Sequence, residues 1–267
     1  MGNIYLEKPD IGELRKKGYT IVDMHVHSRH SCDCFVGVKG IIKRAKKLGI
    51  GVAITDHNMI EGSIEAEKLG RSNGVLVIPG IEARSTEGID ILIYFYKIGD
   101  LIGFYNKHLK PNKKWNIQGS SKLSIEEITR ILKRYKCIVC IAHPYRFYLK
   151  KVYNVLLKKK RNKKLFRLFK VIEVVNGKNL ERKNKKAIKK ARQLEKYYIG
   201  GSDSHRLKDI GMTVTCSKNS NSVKKFLDNI SHSRNVTVVG EETRMPYRLV
   251  RPLVSIKNAV SHKIRGI

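Results

Sequence analysis

Two things that the sequence lacks narrow the class of protein. No stretch of the 267 residues approaches the roughly 18 consecutive apolar residues of a transmembrane helix. The N-terminus, with Glu7, Asp10 and Glu13 and no apolar core, is unlike a signal peptide. We therefore expect a soluble, cytoplasmic protein that has no stable association with a membrane.

Cysteine is also scarce. Five cysteines are an odd number and too few for a disulfide scaffold in a chain of this length. Cys32 and Cys34 form a CxC pair. Cys137 and Cys140 form a CxxC pair, so a zinc–thiolate site is conceivable. Residues 137–142, however, are an apolar run typical of a buried strand, and residues three apart on a strand point to opposite faces. Plain buried thiols are the favoured interpretation.

Acidic residues are few relative to basic ones. The chain has 23 Asp and Glu against 55 Lys and Arg, which gives a formal net charge of +32. Such a charge attracts polyanions, above all nucleic acid, and can steer small phosphorylated substrates. The alternative is a lysine-rich composition in which every surface is basic, and charge alone does not decide between the two. The sequence has no P-loop, dinucleotide-binding fingerprint or kinase signature, so nucleotide-driven chemistry is not expected.

Short apolar segments alternate with basic amphipathic segments from residue 20 to about residue 216. The apolar segments predict strands at 20–24, 51–55, 75–79, 90–96, 137–142, 171–175 and 197–200. The amphipathic segments predict helices at 38–48, 63–71, 124–135 and 180–196, and Ser124 with Glu127 forms a capping-box pattern. Strands that alternate with helices indicate parallel β/α units. About seven such units fit an α/β fold with a closed or distorted, TIM-like barrel better than a sheet that is open at both edges.

Three segments fall outside this alternation. Residues 99–121, with Pro111 and Gly119, are expected to form an excursion loop. The strongly basic residues 150–170 are expected to form a helix on the outside of the barrel or over the site. After Cys216 one more helix–strand pair and a basic tail at 247–267 are expected. The barrel is therefore assigned to residues 1–216, and the closing elements with the basic extension to residues 217–267.

Residues suited to metal binding concentrate at the carboxyl ends of the predicted strands, where the loops of a parallel β/α fold converge. His25 and His27 are two apart at a strand end, so both imidazoles project to one side and can share a cation. Glu82 can bridge two cations through its two oxygens, and either His30 or Asp33 can reach a second ion. The clusters are Asp23-Met24-His25-Val26-His27-Ser28, Thr55-Asp56-His57-Asn58, Pro79-Gly80-Ile81-Glu82, Ala142-His143-Pro144 and Ser202-Asp203-Ser204-His205.

These motifs, in this order, resemble those of the polymerase and histidinol phosphatase (PHP) superfamily of metal-dependent phosphoesterases. The resemblance implies a distorted (β/α)7 barrel with two or three divalent ions, zinc, manganese or iron, at the strand C-termini. It also implies that Asp56, and with it Asp23, orients a histidine ligand. The implied ligands are His25, His27, Glu82 and Asp203 for one ion, Asp33, His57 and Glu82 for a second, and His143 with His205 for a third. The family usually has a further histidine after the glutamate, and the nearest candidate for that position here is Asp90.

The residues suggest a mechanism that needs no serine or cysteine nucleophile. A water that bridges two dications loses its proton near neutral pH and becomes a hydroxide nucleophile. His143 or His205, where metal does not engage it fully, can protonate the leaving alkoxide. Arg84 and Arg146, which follow Glu82 and His143 in sequence, are candidates for gripping a substrate phosphate, although ordinary exposed arginines are as good an interpretation.

The leading hypothesis is a metal-dependent phosphatase or phosphodiesterase that hydrolyses a nucleotide or a short nucleic acid. One alternative is a phosphatase of a small metabolite, as in the histidinol phosphatase branch. Another is a non-catalytic RNA-binding barrel subunit, against which the retained ligand positions argue. No protein partner is predicted.

Overall fold

The computed structural model describes residues 3–114, 120–146, 169–232 and 236–242. The strands of these ranges lie in one sheet in the order β1-β10-β9-β2-β3-β4-β5-β6-β7-β8, and the sheet curls into a half-barrel. They are β1 (Ile4–Tyr5), β2 (Tyr19–Val26), β3 (Gly51–Ile54), β4 (Val77–Arg84), β5 (Asp90–Phe95), β6 (Cys137–Ile141), β7 (Val171–Asn176), β8 (Tyr197–Gly201), β9 (Thr213–Lys218) and β10 (Val236–Gly240). The barrel-type α/β fold predicted from the sequence is confirmed in this form.

Helices cover the outside of the sheet and one end of the barrel. Those in the described ranges are α1 (Ile11–Lys16), α2 (Val38–Leu48), α3 (Glu61–Asn73), α4 (Ile98–Phe104), α5 (Ile125–Leu132), α6 (Glu181–Gln193) and α7 (Val223–His232). Each strand and helix predicted within the described residues has a counterpart, and the helix–strand pair expected after Cys216 is α7 with β10. The sequence analysis did not predict β1, α1 or β9. None of the helices in the described ranges has the length and apolar character needed to cross a membrane.

The expectation of uniformly parallel strands was wrong. β5 runs antiparallel to both β4 and β6, and β9 runs antiparallel to both β2 and β10. Residues 85–89 alone connect β4 with β5, whereas a parallel crossover needs roughly a dozen residues or more. β5 therefore begins at the edge of the barrel where the neighbouring parallel strands end.

The predicted excursion loop at 99–121 is largely helical. Helix α4 continues into a π-helix at Tyr105–Leu109 and a 3-10 turn at Lys110–Asn112. Leu101, Phe104 and Leu109 are fully buried in the core beside β4 and β5, so packing stabilises the segment in spite of its lysines and Pro111. Residues 115–119 lie outside the described residues. So do residues 147–168, which include most of the basic helix predicted at 150–170, and the basic tail at 247–267.

Helix α5 shows how the local sequence determines an element. The Ser124 side chain accepts a hydrogen bond from the Glu127 backbone, and the Glu127 side chain reaches back to the Ser124 N–H, which confirms the predicted capping box. Ile125, Ile128 and Leu132 are spaced along one face and are buried. The cap starts the helix, and the buried face docks it onto the sheet.

The core has an inner and an outer layer. The inner layer lies inside the half-barrel, where Met24, Tyr94 and Phe226 are fully buried. Phe226 belongs to α7, which packs against this layer. The outer layer lies between the sheet and the remaining helices. On β6, Cys140 belongs to the inner layer while Cys137 packs against the outer one, so the pair faces opposite ways as predicted. Within the described residues, no cysteine belongs to a metal-ligand group.

Candidate metal centre

The ends of β2 and β8 bring the first and last motifs together. The His27 backbone N–H donates to the Ser204 carbonyl at 3.0 Å, so His27 lies beside the Asp203 loop. The close approach of β8 depends on Gly201, because a Cβ built there would lie 2.4 Å from the Cβ of His25. Glycine lets the two strand ends pack without a side chain between them.

The second and third motifs meet at the ends of β3 and β4. The Asn58 N–H donates to the Glu82 carbonyl at 2.9 Å, and the Glu82 N–H donates to the Asp56 carbonyl at 3.2 Å. These bonds hold His57 against Glu82. The reversed direction of β5 places Asp90, its first residue, opposite Arg84 at the same edge. A carboxylate at the start of an antiparallel strand thus joins ligands that follow parallel strands.

Glu82 lies at the centre of the converging side chains. Its Oε2 atom is 3.3 Å from Nε2 of His25 and 3.3 Å from Nε2 of His27. The same oxygen is 3.0 Å from Nδ1 of His57, while Oε1 is 3.0 Å from Nε2 of His143. Glu82 is fully buried. A carboxylate whose two oxygens face different sets of imidazoles is suited to bridge two cations.

The predicted ligands form four overlapping groups within which the potential ligand atoms lie within 4.8 Å of one another. The groups are His25–His27–Asp203, His27–His57–Glu82, His27–Asp33–His205 and Glu82–Asp90–His143. All nine residues named as metal ligands from the sequence are therefore brought together. His143 and His205, which the resemblance assigned to one ion, fall in different groups. Asp90 takes the position beside His143 instead.

The unpaired atoms of these groups fit a divalent cation. Nδ1 of His27, Nδ1 of His57 and Oδ1 of Asp203 are buried without a hydrogen-bond partner. His57 Nδ1 lies close to Glu82, but the approach lacks hydrogen-bond geometry. Nε2 of His25 and Nε2 of His27 are 3.1 Å apart, an arrangement that a shared cation would stabilise. Imidazole nitrogens combined with carboxylate oxygens are the ligands of zinc, manganese and non-haem iron sites.

The electrostatics of the centre also favour a cation. Burial lowers the pKa of His27, but Asp203, Glu82 and Asp33 outweigh this effect and raise it to about 9. Burial likewise raises the pKa of Glu82 and Asp203, yet neighbouring His25 and other cationic groups hold both below their usual values. The carboxylates create a negative potential at the imidazoles. A divalent ion bound there would balance the charge of the carboxylates in place of the protons on the imidazoles.

The loop after β2 resolves the choice between His30 and Asp33. Oδ2 of Asp33 is 2.9 Å from Nε2 of His205 and 3.4 Å from Nε2 of His57, which places Asp33 among the candidate ligands. His30 instead contacts Glu65 at 3.1 Å, and both side chains are partly exposed. Asp33 is therefore the ligand candidate in this loop.

Three of the five non-glycine residues with positive φ in the described part of the chain lie at the centre. His143, Asp203 and Asn58 adopt positive φ angles of 26°, 52° and 49° although none of them is glycine. Each is a predicted ligand or follows one. Non-glycine residues reach this region at a conformational cost, and such residues cluster at functional sites.

Basic side chains lie around the candidate ligands. Arg84 is 3.6 Å from Asp90, and Arg146 forms an ion pair with Asp203, so both predicted phosphate-binding arginines lie at the centre. Two further cations, Lys178 and Arg206, were not predicted. Both pair with the buried Asp209, which Lys178 contacts at 2.8 Å. The only signal in the sequence was their position just after a strand, with Lys178 after β7 and Arg206 after the last motif.

Asp23 and Asp56 brace the backbone beside the ligands. Asp23 accepts hydrogen bonds from the Ser202 hydroxyl at 2.6 Å and from the Gly211 N–H at 2.9 Å, and burial raises its pKa to about 6. Asp56, predicted to orient a histidine, accepts from the N–H and the hydroxyl of Ser28, both at 2.6 Å. Its carboxylate thus positions the residue after His27 and not an imidazole ring.

One buried carboxylate near the ligands was missed. Glu173, in the middle of β7, is 1% exposed, and its Oε1 atom lies 2.9 Å from Nδ1 of His25. Asn176, at the end of the same strand, donates to Asp203 at 3.2 Å. A single glutamate inside the apolar run Val171–Asn176 was the available signal. The sequence pattern predicts only a strand at 171–175 and gives Glu173 no role.

Fold and site together define a barrel whose strand ends carry a histidine–carboxylate centre suited to several metal ions. The chain belongs to the PHP domain family, whose profile matches residues 23–238, and hence to a family of metal-dependent phosphoesterases. An uncharacterized protein of Methanocaldococcus jannaschii is 32% identical over 134 residues, which cover 46% of this chain and 67% of that protein.

Solved structures share the fold at low sequence identity. A two-domain protein of Bacteroides vulgatus, containing a predicted PHP-like metal-dependent phosphoesterase, matches with a TM-score of 0.63 and 16% identity over 90% of this chain and 69% of its own. The lesion-specific endonuclease Q of Pyrococcus furiosus matches with a TM-score of 0.62 and 16% identity over 82% of this chain and 57% of its own. Endonuclease Q has also been solved in complex with a 27-mer duplex carrying an abasic lesion at the active site; that match has a TM-score of 0.64 and 17% identity over 85% of this chain and 61% of its own.

Proposed function

We propose that this protein hydrolyses a phosphate ester of a nucleotide or a short nucleic acid with the help of two or three bound divalent ions, zinc, manganese or iron. The observation that carries the proposal is the convergence of histidines and carboxylates on Glu82 at the carboxyl end of the barrel. Membership of the PHP family supports phosphoester hydrolysis as the type of reaction.

The ligand groups suggest where the ions would be held. One lies between His25, His27 and Asp203, and another lies beside Glu82, Asp90 and His143. A third position is offered by Asp33, with His57 and His205 within 3.4 Å and 2.9 Å of its carboxylate. Bound there, the ions would acidify water and neutralise charge on the phosphate.

The remaining steps fall to side chains of the chain itself. Arg146 and Arg84 are the proposed contacts to the substrate phosphate, since both lie beside the ligands and guanidinium groups pair with phosphate oxygens. If two ions bind and the position beside Glu82 and Asp90 is left empty, His143 is the proposed proton donor to the leaving oxygen through Nε2. Its side chain is 8% exposed, whereas that of His205 is completely buried, so His143 is the better placed to meet a substrate.

Two observations support a nucleotide or nucleic acid as the substrate. The net charge of +32 favours an extended anion over a compact phosphorylated metabolite. Endonuclease Q, which shares the fold, binds a duplex substrate with an abasic lesion at its active site, although this chain spans only 57% and 61% of the two endonuclease Q chains. Both fit an anionic polymer that lies across the end of the barrel.

Phosphate release from a panel of esters tests the proposal. The panel holds p-nitrophenyl phosphate, nucleoside monophosphates, a 3′,5′-bisphosphate, short RNA and DNA, and histidinol phosphate, each with manganese or zinc and after chelation. We expect hydrolysis that is best on a nucleotide or oligonucleotide, that stops with chelator, and that is lost in His25→Ala. His232→Ala, which removes an exposed histidine of α7, is the matched control and should retain activity.

Three outcomes would contradict the proposal in different ways. Preference for histidinol phosphate would identify a metabolite phosphatase. Tight RNA binding without retained metal or hydrolysis would identify a binding subunit. Activity that survives both the chelator and His25→Ala would mean that the centre is not the site of the reaction.

A further inference from the structure

Strand β7 contributes no candidate ligand, yet its one buried carboxylate contacts two residues of the centre. Oε1 of Glu173 is 2.9 Å from Nδ1 of His25, and Oε2 accepts a hydrogen bond from the His143 backbone N–H at 2.5 Å. The register of β7 against β8 shifts between Glu173 and Val175. Such an irregularity re-aims side chains, and here Glu173 is directed at the ligands.

The contact with His25 determines which ring nitrogen is free. A carboxylate accepts hydrogen bonds and does not donate them, so Nδ1 must carry the proton. The lone pair is then on Nε2, the atom that lies 3.3 Å from Glu82 and 3.1 Å from Nε2 of His27. Nε2 thus points into the centre in the form that can bind a cation.

The contact with His143 holds a strained backbone. His143 has a φ of 26°, and the Glu173 carboxylate is the partner of its N–H group. This bond helps to fix the direction in which the His143 imidazole leaves the chain, toward Oε1 of Glu82. One carboxylate therefore links the group of His25 with the group of His143.

We propose that Glu173 is a positioning residue of the metal centre, which sets the tautomer of His25 and the backbone conformation of His143. The proposal rests on the proposed function insofar as that function requires bound metal. Glu173 itself contacts neither substrate nor ion in this role.

The substitution Glu173→Gln separates this role from simple packing. An amide offers one accepting oxygen and one donating NH2 group in place of two accepting oxygens. The backbone N–H of His143 can only donate, so the oxygen must face it, and the NH2 group then faces Nδ1 of His25. The proton of His25 would move to Nε2, the atom needed for the ion. If the amide is instead flipped, so that its oxygen faces Nδ1 of His25, its NH2 group faces the backbone N–H of His143, and two hydrogen-bond donors then oppose each other.

Zinc affinity, measured by competition with a chromophoric chelator on metal-free full-length protein, is the main readout. We expect Glu173→Gln to weaken binding of one zinc ion by roughly 10- to 100-fold, the usual cost of losing a group that orients a ligand. Glu173→Ala should lower the melting temperature more than Glu173→Gln does, because it leaves a cavity. Its zinc affinity should nevertheless be at least as high as that of Glu173→Gln, because alanine does not force the proton of His25 onto Nε2. Glu173→Asp, which keeps two accepting oxygens, should bind zinc more tightly than either.

The order of the variants decides the outcome. A purely structural glutamate predicts that zinc affinity follows the melting temperature, with Glu173→Gln close to the wild type, and that result would overturn the proposal. If Glu173→Gln does not fold, equal zinc affinities of Glu173→Asp and Glu173→Ala would overturn the proposal in the same way. Glu126→Gln, on the exposed face of α5, is the surface control. A wild-type protein that binds neither zinc nor manganese nor iron would instead refute the metal-dependent function, independently of Glu173.

Discussion

Gly201 is the residue on which the approach of β8 to β2 depends. A Cβ at this position would lie 2.4 Å from the Cβ and 2.6 Å from the backbone nitrogen of His25. Because the backbone of β2 cannot yield as a flexible side chain can, we expect Gly201→Ala to destabilise the protein by about 1–3 kcal/mol, as overpacking does. It should also displace His25 and weaken zinc binding.

Urea unfolding and zinc competition measure the two effects of Gly201→Ala. Gly99→Ala is the matched control, because a Cβ there meets nothing within 4 Å. The control should leave zinc affinity unchanged. If Gly201→Ala unfolds and binds zinc as the wild type does, the tight junction of β2 and β8 is not what positions His25.

Asp33 and His30 provide a second prediction at the scale of single residues. Asp33 contacts His57 and His205, whereas His30 contacts Glu65 outside the ligand groups. Loss of a residue that only orients a metal ligand typically reduces metal affinity or activity by up to roughly 100-fold. We expect Asp33→Asn, which changes a candidate ligand itself, to reduce metal-dependent hydrolysis by more than this. His30→Asn should change it by less than about threefold, as expected of a partly exposed surface pair. Comparable losses in the two variants would contradict the assignment.

Sequence reasoning succeeded for residues whose chemistry is local and failed for those whose role depends on distant partners. His25 and His27 could be predicted because their spacing alone places two imidazoles on one side of a strand end. Glu173 could not, because its partner His25 is 148 positions away in the chain. The pairing of Lys178 with Asp209, 31 positions away, was missed for the same reason.

At the scale of elements, the turn after β8 gives a prediction about pH. Asp209 ends the 3-10 helix Leu207–Asp209 and pairs with Arg206 beside it and with Lys178 from the segment after β7. Burial raises the pKa of Asp209, but hydrogen bonds from Arg206 and Lys178 outweigh burial and hold the pKa below its usual value. A carboxylate with a depressed pKa in the folded state stabilises the protein fully only above the unfolded-state pKa of about 3.9.

We therefore expect Asp209→Asn to lower the free energy of unfolding by about 1–3 kcal/mol at pH 7, the cost of leaving buried partners unpaired. The difference from the wild type should shrink as the pH falls below about 4 and vanish below the folded-state pKa. Urea unfolding in the presence of EDTA between pH 3 and 7 measures it without a contribution from metal. A difference that does not change with pH would contradict the ion-pair explanation.

The misassigned elements have one physical cause. Periodicity identifies β5 as a strand but says nothing about its direction, which follows from the short connection at 85–89. The residues of the π-helix after α4 were expected in a loop because lysines and Pro111 interrupt their pattern, yet Tyr105 and Leu109 are buried. Direction and burial depend on tertiary packing, and local patterns do not encode it fully.

At the scale of the whole molecule, metal binding should be coupled to stability. The candidate ligands come from β2, β3, β4, β5, β6 and β8 and the segments that follow them, so an ion bound there ties most of the barrel together. A ligand that binds only the folded state, present at 100 times its dissociation constant, stabilises by about 2.7 kcal/mol. For a protein of this size, that corresponds to a rise of about 5–11 °C in melting temperature.

Calorimetry with zinc and with EDTA checks this linkage. The wild type should show the rise with zinc, whereas His25→Ala should show a much smaller one. His232→Ala, whose histidine lies outside the ligand groups, should behave as the wild type does. Equal melting temperatures with and without zinc in the wild type would exclude a strongly bound zinc ion at this centre.

The excess of basic residues leads to a prediction about salt. If the substrate is a nucleic acid, binding releases cations condensed on its backbone, and the logarithm of the affinity falls with the logarithm of the salt concentration. The slope is roughly −0.7 for each phosphate contacted on a single strand and roughly −0.9 on B-form DNA. We therefore expect kcat/KM for a short RNA or DNA to fall steeply between 50 and 200 mM salt, whereas kcat/KM for p-nitrophenyl phosphate changes little. Because both substrates use the same ligands and the same His143, an effect of salt on the metal centre would reduce both alike. A flat response for the oligonucleotide would mean that the net charge of +32 is a property of the surface as a whole and not a device for binding the substrate.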